Sequence, residues 1–308
     1  MKLNALRDFL AVAEMGGLRA AARQLGVAQP AITRSVQELE KELGVALFER
    51  SAKGVRLTPM GTAFQRRANA VRSELQKAKD EIDQLRGETH GRVTVCLSSA
   101  AHMALLPQIL KPFRARYPNV WMEIIDAVFP LAQAGLKNGK VDCYIGPTPE
   151  RVSEELQVEK LFDNTRVILA RRGHPMAHAR SLRDLVDAEW LTTSITYKAE
   201  EELGPMFASH GLPAPRLVMS AQSALTFLTT VPYTDLLMMA PIQWLQSPLI
   251  KGVVQQIKVV EHLAAPPLCI VQRTGMPLTP AAEHFCVLAR RASRHTGPKI
   301  AGEASGQL

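Results

Sequence analysis

Residues 26–40, "GVAQPAITRSVQELE", decide how this chain is read. Ile32, Val36, Leu39 and, just beyond, Leu43 recur at steps of four, three and four, one buried stripe on a helix from about Gln29 to Leu43. Pro30 then falls in the first turn. Its missing N–H breaks no intrahelical bond there and its fixed φ suits helix entry, so it begins the helix rather than interrupting it. The opposite face carries Gln29, Thr33, Arg34 and Gln37, and no acid. Gln matches the hydrogen-bonding edge of adenine, Arg that of guanine, and Thr offers a hydroxyl and a methyl to thymine. For this segment taken alone, a solvated surface helix is the alternative.

The flanking residues narrow the choice. Upstream, Leu3, Leu6, Phe9, Leu10 and Ala13 share one face of a first helix closed by Gly16-Gly17. "LRAAARQLG" at 18–26 forms a second short helix ending at Gly26. Two short helices joined by a glycine turn, the second with a compact polar face, is the helix-turn-helix pattern. Downstream, "ALFERSAKGVRLT" at 46–58 reads as two strands around a turn at Ala52-Lys53-Gly54. This hairpin carries Arg50, Lys53 and Arg56, so it is a basic wing able to reach phosphates or the minor groove.

Thr58-Pro59 caps and starts a long helix in which Met60, Phe64, Ala68, Val71, Leu75, Ala78, Ile82 and Leu85 alternate spacings of four and three after the first step. That is the period of about 3.5 residues of a coiled-coil seam, stopped by Gly87 and Gly91. The same helix of a second chain is the expected partner, packing onto the C-terminal region the alternative. A two-fold dimer presents two recognition helices to half-sites about 10 bp apart, or a multiple of that.

From Arg92 strands and helices alternate. "RVTVCL", "VWMEII" and "VDCYIG" read as strands, with "HMALLPQILKPFRARYP" and "LAQAGLKNGK" as helices between them, the rhythm of a parallel α/β sheet. A second unit begins near Phe162-Asp163 with strands "RVILARR", "EWLTTS", "PRLVMS" and "DLLMMAP". "PLCIVQR" and the helix "PAAEHFCVLARRA" return to the first. Such sheets bind ligands at the carboxyl ends of their strands, where Ser98-Ser99-Ala100 and Thr192-Thr193-Ser194 stand. Two hydroxyl-rich strand ends facing across a cleft suit a small carboxylate or sulfonate, helix capping being the plainer role.

At 308 residues the chain has room for two or three compact units. The net charge of +8 fits an anionic partner. Its distribution matters more: from Arg19 to Arg72 basic residues face only Glu38, Glu40, Glu42 and Glu49. No apolar run reaches the length of a bilayer span, and the first residues lack the form of a signal peptide, so no membrane association and a cytoplasmic location are expected. Cys96, Cys143, Cys269 and Cys286 are far apart in sequence and read as buried thiols; neither metal nor cofactor is expected. No GxSxG, HExxH or GxGxxG occurs, and "GLKNGK" at 135–140 is no P-loop, so an enzyme is not expected. His174 and His178 flank Pro175 and read as a surface turn. Residues 296–308 read as a disordered tail.

The order of these parts, centred on "LRAAARQLGVAQPAITRSVQELEKELGVALFERSAKGVRLTPMG", closely resembles the LysR-type transcriptional regulators over about the first ninety residues, and in layout beyond. The resemblance implies an α+β multi-domain chain. A winged helix-turn-helix occupies 1–58, a linker and dimerisation helix 59–90, and a two-subdomain, periplasmic-binding-protein-like α/β effector domain 91–295. Subdomain I covers about 91–162 and 266–295, subdomain II about 163–265. It implies that Gln29, Pro30, Thr33 and Arg34 enter the major groove of promoter DNA and that Arg50 and Lys53 touch backbone or minor groove. Many members have serine where Ala28 stands, which leaves the cap of the recognition helix in question. An inducer would lie between the subdomains against Ser98, Ser99 and Ala100, then Phe129, Pro147, Thr193 and Ser194. "VPYTDLL" at 231–237 looks like a segment of members that respond to aromatic acids and sulfonates. A homodimer or homotetramer, with RNA polymerase as a candidate partner, completes the expectation. A ligand-independent architectural DNA binder, and a solute-binding protein or enzyme on the same lobes, are the rivals.

Overall fold

The computed structural model describes residues 1–51, 54–192, 200–221 and 223–294. The chain divides into two compact units, Met1–Lys79 with Lys137–Lys140, and the remainder from Asp80 on. Lys53, Thr193, Ser194 and the expected tail at 296–308 lie outside the described residues.

The first unit contains α1 (Leu3–Met15), α2 (Leu18–Leu25), α3 (Gln29–Leu43), the strands β1 (Phe48–Ser51) and β2 (Gly54–Leu57), and most of α4 (Pro59–Leu85). The stripe on α3 serves two small cores. Ile32 and Val36 pack with Ala11, Val12, Ala21 and Ala22, which holds α2 against α3. Leu39 joins Leu6, Phe9, Leu10, Leu47 and Ala68, with Phe9 5.1 Å from Phe48 and 5.0 Å from Phe64 between ring centroids. Each fully buried Leu, Ile, Val or Phe of these cores contributes about 1.5–3 kcal/mol by leaving water. Gly26 ends α2 at φ 67, a left-handed conformation that a side chain would strain. Polar groups fix the remaining joints. Glu40 Oε1 accepts from the N–H of Leu47 at 2.7 Å and of Phe48 at 3.1 Å, tying the wing to the recognition helix. Thr58 caps α4 by accepting from Gly61 N at 2.9 Å and donates to Ala46 O at 2.8 Å. A Cβ on Gly61 would stand 2.0 Å from Leu47 O, so only glycine lets α4 approach.

In the second unit the elements are β3 (His90–Leu97), α5 (Ser99–Ala104), α6 (Leu106–Arg116), β4 (Asn119–Asp126), α7 (Phe129–Lys137), β5 (Cys143–Pro147), β6 (Leu156–Arg171), β7 (Glu189–Thr192), α8 (Glu200–Ser209), β8 (Arg216–Ser220), α9 (Ala224–Thr230), β9 (Leu237–Pro241), β10 (Val254–Ile257), β11 (Ala264–Arg273) and α10 (Pro280–Ser293). The strands run in the order β4-β3-β5-β11-β6-β9-β7-β8, with β10 also on β6. The expectation of a parallel sheet holds for two sets only. β3 is parallel to β4 and β5, and β7 to β8 and β9; β11 pairs antiparallel with β5 and β6, as β6 does with β9 and β10.

The reason is connectivity. β6 carries the chain out of subdomain I and β11 carries it back, so the two run in opposite directions from Leu156↔Arg273 to Thr165↔Ala264. The expected boundaries at 162/163 and 265/266 therefore fall inside strands that both subdomains share. Between Ala265 and Leu268 the register shifts, at Pro266 and Pro267, which have no N–H to donate to a ladder.

Helices cover both faces of each part. In subdomain I, Val93, Val95 and Leu97 meet Phe113 and Phe285 on one side, while Cys96, Tyr144 and Val271 meet Phe129 and Leu136 on the other. In subdomain II, Ile168, Trp190 and Leu237 meet Phe207, and Val167 and Leu191 meet Phe227 and Trp244. The single helix expected over 102–118 is two, broken at Leu105 (φ −115, ψ −42), because Pro107 supplies no N–H to continue α5.

All four cysteines are buried. Burial pushes the Cys96 thiol up to about 11, and a hydrogen bond with Cys286 followed by burial raises Cys143, so both stay protonated and unreactive. His174 is not the surface residue its neighbourhood implied. It is buried, accepting from Met176 N at Nδ1 and donating from Nε2 to Asp235 O, both at 3.0 Å. Among the described residues no three His, Cys, Asp or Glu side chains could hold a metal ion, and no helix is long and apolar enough to cross a membrane.

The seam of α4 is divided. Phe64 and Ala68 serve the core of the first unit, whereas Val71, Leu75, Ala78, Ile82 and Leu85 are exposed, Ile82 by 52% and Leu85 by 69%. Within the second unit the last turns of α4 dock through other residues. Asp80 Oδ2 accepts from Arg92 N, Gln84 Nε2 donates to His90 O, and Gln84 Oε1 accepts from Ala281 N at 2.9 Å. At about 100° per residue, Asp80 and Gln84 lie on the side of the helix away from Ala78, Ile82 and Leu85.

Candidate nucleic-acid interface and ligand cleft

Gln29, Pro30, Arg34 and Gln37 are exposed on α3 and Thr33 is half-buried beside them. Ala28 occupies the N-cap with φ −69 and ψ 138, the extended conformation that position requires, and makes no side-chain capping bond. Thr33 Oγ1 donates to Gln29 O at 3.1 Å, so its hydroxyl proton is turned onto its own helix while its methyl remains available. The wing strands pair from Phe48↔Leu57 to Ser51↔Gly54, and Val55 N donates to Gly16 O at 3.2 Å, which ties the wing to the turn between α1 and α2. Arg56 is exposed opposite Glu49. Arg50 lies opposite Val55 in β1, its side chain outside the described residues. Arg19 and Arg23 of α2 add exposed cations that sequence reasoning had counted without assigning a role.

A concave space of about 830 Å³, its open mouth included, lies in the second unit where the subdomains meet. Ser98, Ser99 and Ala100 begin α5 at its edge, with Asp126 at the end of β4 and Tyr144 and Pro147 on β5. The shared strands contribute Asn164, Arg166 and Pro266. Subdomain II adds Thr192 and the apolar side chains of Phe227 and Met239. Ser98 Oγ accepts from Ala101 N at 3.3 Å, and its own N–H donates to Ile145 O. A Cβ on Gly146 would come within 2.8 Å of Ser98 Cβ and 2.3 Å of Tyr144 Oη, so glycine is needed beneath this strand end. Tyr144 donates to Pro147 O at 3.0 Å, and burial raises its phenol, keeping it neutral.

Of the residues expected from sequence, Ser98, Ser99, Ala100 and Pro147 line the cleft. Phe129 does not. It is 2% exposed and packs edge-on against Tyr144 at 5.6 Å, because a phenyl ring at the start of α7 gains more from the apolar layer under the sheet than from a wet cleft. Asp126, Asn164 and Arg166 went unrecognised. The signal for two of them was the polar run Asn164-Thr165-Arg166 inside an otherwise strand-like segment.

Two family patterns match the chain, "Bacterial regulatory helix-turn-helix protein, lysR family" over residues 3–62 and "LysR substrate binding domain" over residues 86–294. Among curated relatives, the HTH-type transcriptional regulator GalR of Pseudomonas putida is 26% identical over 90% of this chain and 70% of its own. TdcA of Escherichia coli K12, also an HTH-type transcriptional regulator, is 24% identical over 96% of this chain and 95% of its own. Full-length CbnR in complex with its target DNA shares the fold, with a TM-score of 0.70 at 23% identity over 95% of this chain and 100% of that one. The family of these matches is one of regulators rather than enzymes: this chain belongs to the LysR family of DNA-binding transcriptional regulators and carries an effector-binding domain.

Proposed function

We propose that this regulator reads promoter DNA as a dimer or tetramer, and that a small organic anion held in the cleft changes its binding or bending of that DNA. Gln29, Pro30, Thr33 and Arg34 face the major groove, and Arg50 and Lys53 meet backbone or minor groove. The observation that carries the ligand half is the cleft's make-up: Arg166, Asn164, Ser98 and Thr192 supply polar groups and Phe227 and Met239 apolar ones. That pairing suits a charged head on an apolar body. A ligand shifts the regulator only through different affinities for its conformations. RNA polymerase and a cytoplasmic site of action belong to the same reading.

Asp126 favours a second reading of the ligand, a zwitterion whose ammonium group meets that carboxylate while its acid end meets Arg166. A thermal-shift panel of aromatic acids, sulfonates and amino acids separates the two. An acid bound at a hundredfold over its Kd adds about 2.7 kcal/mol of stability. Silence from the whole panel would leave a ligand-independent DNA binder. For the DNA half, Arg34→Ala is expected to lower affinity for the cognate promoter by about 1–3 kcal/mol and to relax base preference. Equal losses on promoter and random duplex in a footprinting or anisotropy titration would remove Arg34 from base reading.

A further inference from the structure

Asn164 stands on β6 where that strand passes from one subdomain to the other, and it is 7% exposed in the lining of the cleft. Which end of its amide faces a ligand follows from its other neighbours. The backbone N–H of Thr165 donates to one terminal atom at 3.0 Å, and a backbone N–H needs an acceptor, so that atom is Oδ1. Gln243, 1% exposed in the short turn Ile242–Gln246, brings its own amide to the same oxygen at 2.9 Å. Facing an acceptor, that end is the Nε2 donor. Oδ1 thus receives two bonds from within the protein, and Nδ2 is the end left for the cleft. The consequence for Gln243 is a buried Oε1 with no hydrogen-bond partner among the described residues. Turning that amide over would set oxygen against oxygen and leave the nitrogen unanswered instead. An orphaned carbonyl at this depth calls for a reason, and the orientation of Asn164 supplies one.

Two further groups share the polarity of Nδ2. Arg166 lies two residues along β6, on the same face of the strand, and also lines the cleft. Ser98 Oγ already accepts from Ala101 N–H and keeps its proton to offer. We infer that Gln243 is a positioning residue: it locks Asn164 with its N–H₂ toward the cleft, and thereby makes the site select a carboxylate or sulfonate over the isosteric amide. Turned toward these three donors, an amide ligand would set its own N–H₂ against them, and Asp126 of the same lining is the acceptor it would have to reach instead. This inference rests on the reading of the cleft as a ligand site.

Benzoate and benzamide, equal in shape and opposite in what they offer, are the probes, with the full-length protein and calorimetric Kd as the readout. Wild type is expected to bind benzoate at least tenfold more tightly than benzamide. In Gln243→Leu, which leaves the Thr165 N–H alone to hold Asn164 Oδ1, and in Gln243→Glu, whose carboxylate repels Oδ1, that ratio should fall at least severalfold. A loss of packing alone would weaken both probes alike and leave the ratio unchanged. Amide-proton exchange on unsubstituted, isotope-labelled protein tests the orientation without any ligand. The Asn164 side-chain protons should exchange readily with water and those of Gln243 slowly. The reverse pattern, a wild type that binds benzoate no better than benzamide, or Gln243 variants that keep the wild-type ratio would each overturn the lock. If another acid in the panel stabilises the protein while benzoate and benzamide bind alike, the lock fails and the anion reading survives. If no acid binds, both fall.

Discussion

Ala28 shows how a single side chain sets the stability of the surface it borders. Its backbone already has the N-cap conformation, and its carbonyl accepts from Ala31 N at 3.0 Å, but its side chain has no oxygen with which to cap the other free N–H groups of the first turn of α3. Ala28→Ser is therefore expected to stabilise the first unit by about 1 kcal/mol, read as a raised midpoint in chemical denaturation. An unchanged midpoint would mean that solvent answers those groups equally well. The recognition helix was legible in the sequence because its stripe and its proline act locally. The hydroxyl of Thr33, which donates to its own helix, and the burial of Phe129 were not, since each depends on where neighbouring groups come to rest. Asn164 was hidden for the same reason: its partner Gln243 is far along the chain.

Among the elements, α6 and α10 form a pair whose contact can be titrated. His284 of α10 lies against Phe113 and Tyr117 of α6, with ring centroids 6.3 and 5.7 Å away, and Arg116 stacks on Tyr117. Burial first, and the charge of Arg116 second, lower the His284 pKa below its ordinary value. The unfolded chain then takes up a proton that the folded chain resists. Stability is full above the ordinary histidine pKa and is lost as pH falls through the lowered one, the window lying below about pH 6.5. Replacing the side chain in His284→Gln should flatten the decline of Tm across that window relative to wild type. An identical slope in both proteins would show that other groups govern it. The alternation of strands and helices announced α10, and α6 only as part of one helix with α5. Antiparallel β6 and β11 escaped notice because direction within a sheet is set by how distant segments connect, which periodicity does not encode.

At the scale of the whole molecule, the exposed half of the α4 seam is the feature that asks for a second chain. Val71, Leu75, Ile82 and Leu85 leave a row of apolar side chains in water on the face that the docking residues Asp80 and Gln84 do not use. A coiled-coil dimer would cover them. Leu75→Asp with Ile82→Asp is expected to shift the mass in solution to the monomer at micromolar concentration. Promoter affinity should fall with it, because one recognition helix alone loses the second half-site. A double variant that stays dimeric by sedimentation would assign the contact to another surface.

The strands that join the two subdomains also impose an order of assembly on the nascent chain. β11 fills the place between β5 and β6, and α10 brings Phe285 and Ala289 into the core begun by β3. The subdomain whose first strand is synthesised earliest is thus completed last. Subdomain II, contiguous between the two crossings, can pack while the other still has a gap in its sheet. During translation of the roughly one hundred residues from β6 to β11, the facing edges of β5 and β6 carry unpaired backbone groups of the kind that invite non-native pairing. Holdase chaperones should therefore engage ribosome-bound chains most strongly in that interval, and release them once β11 has emerged.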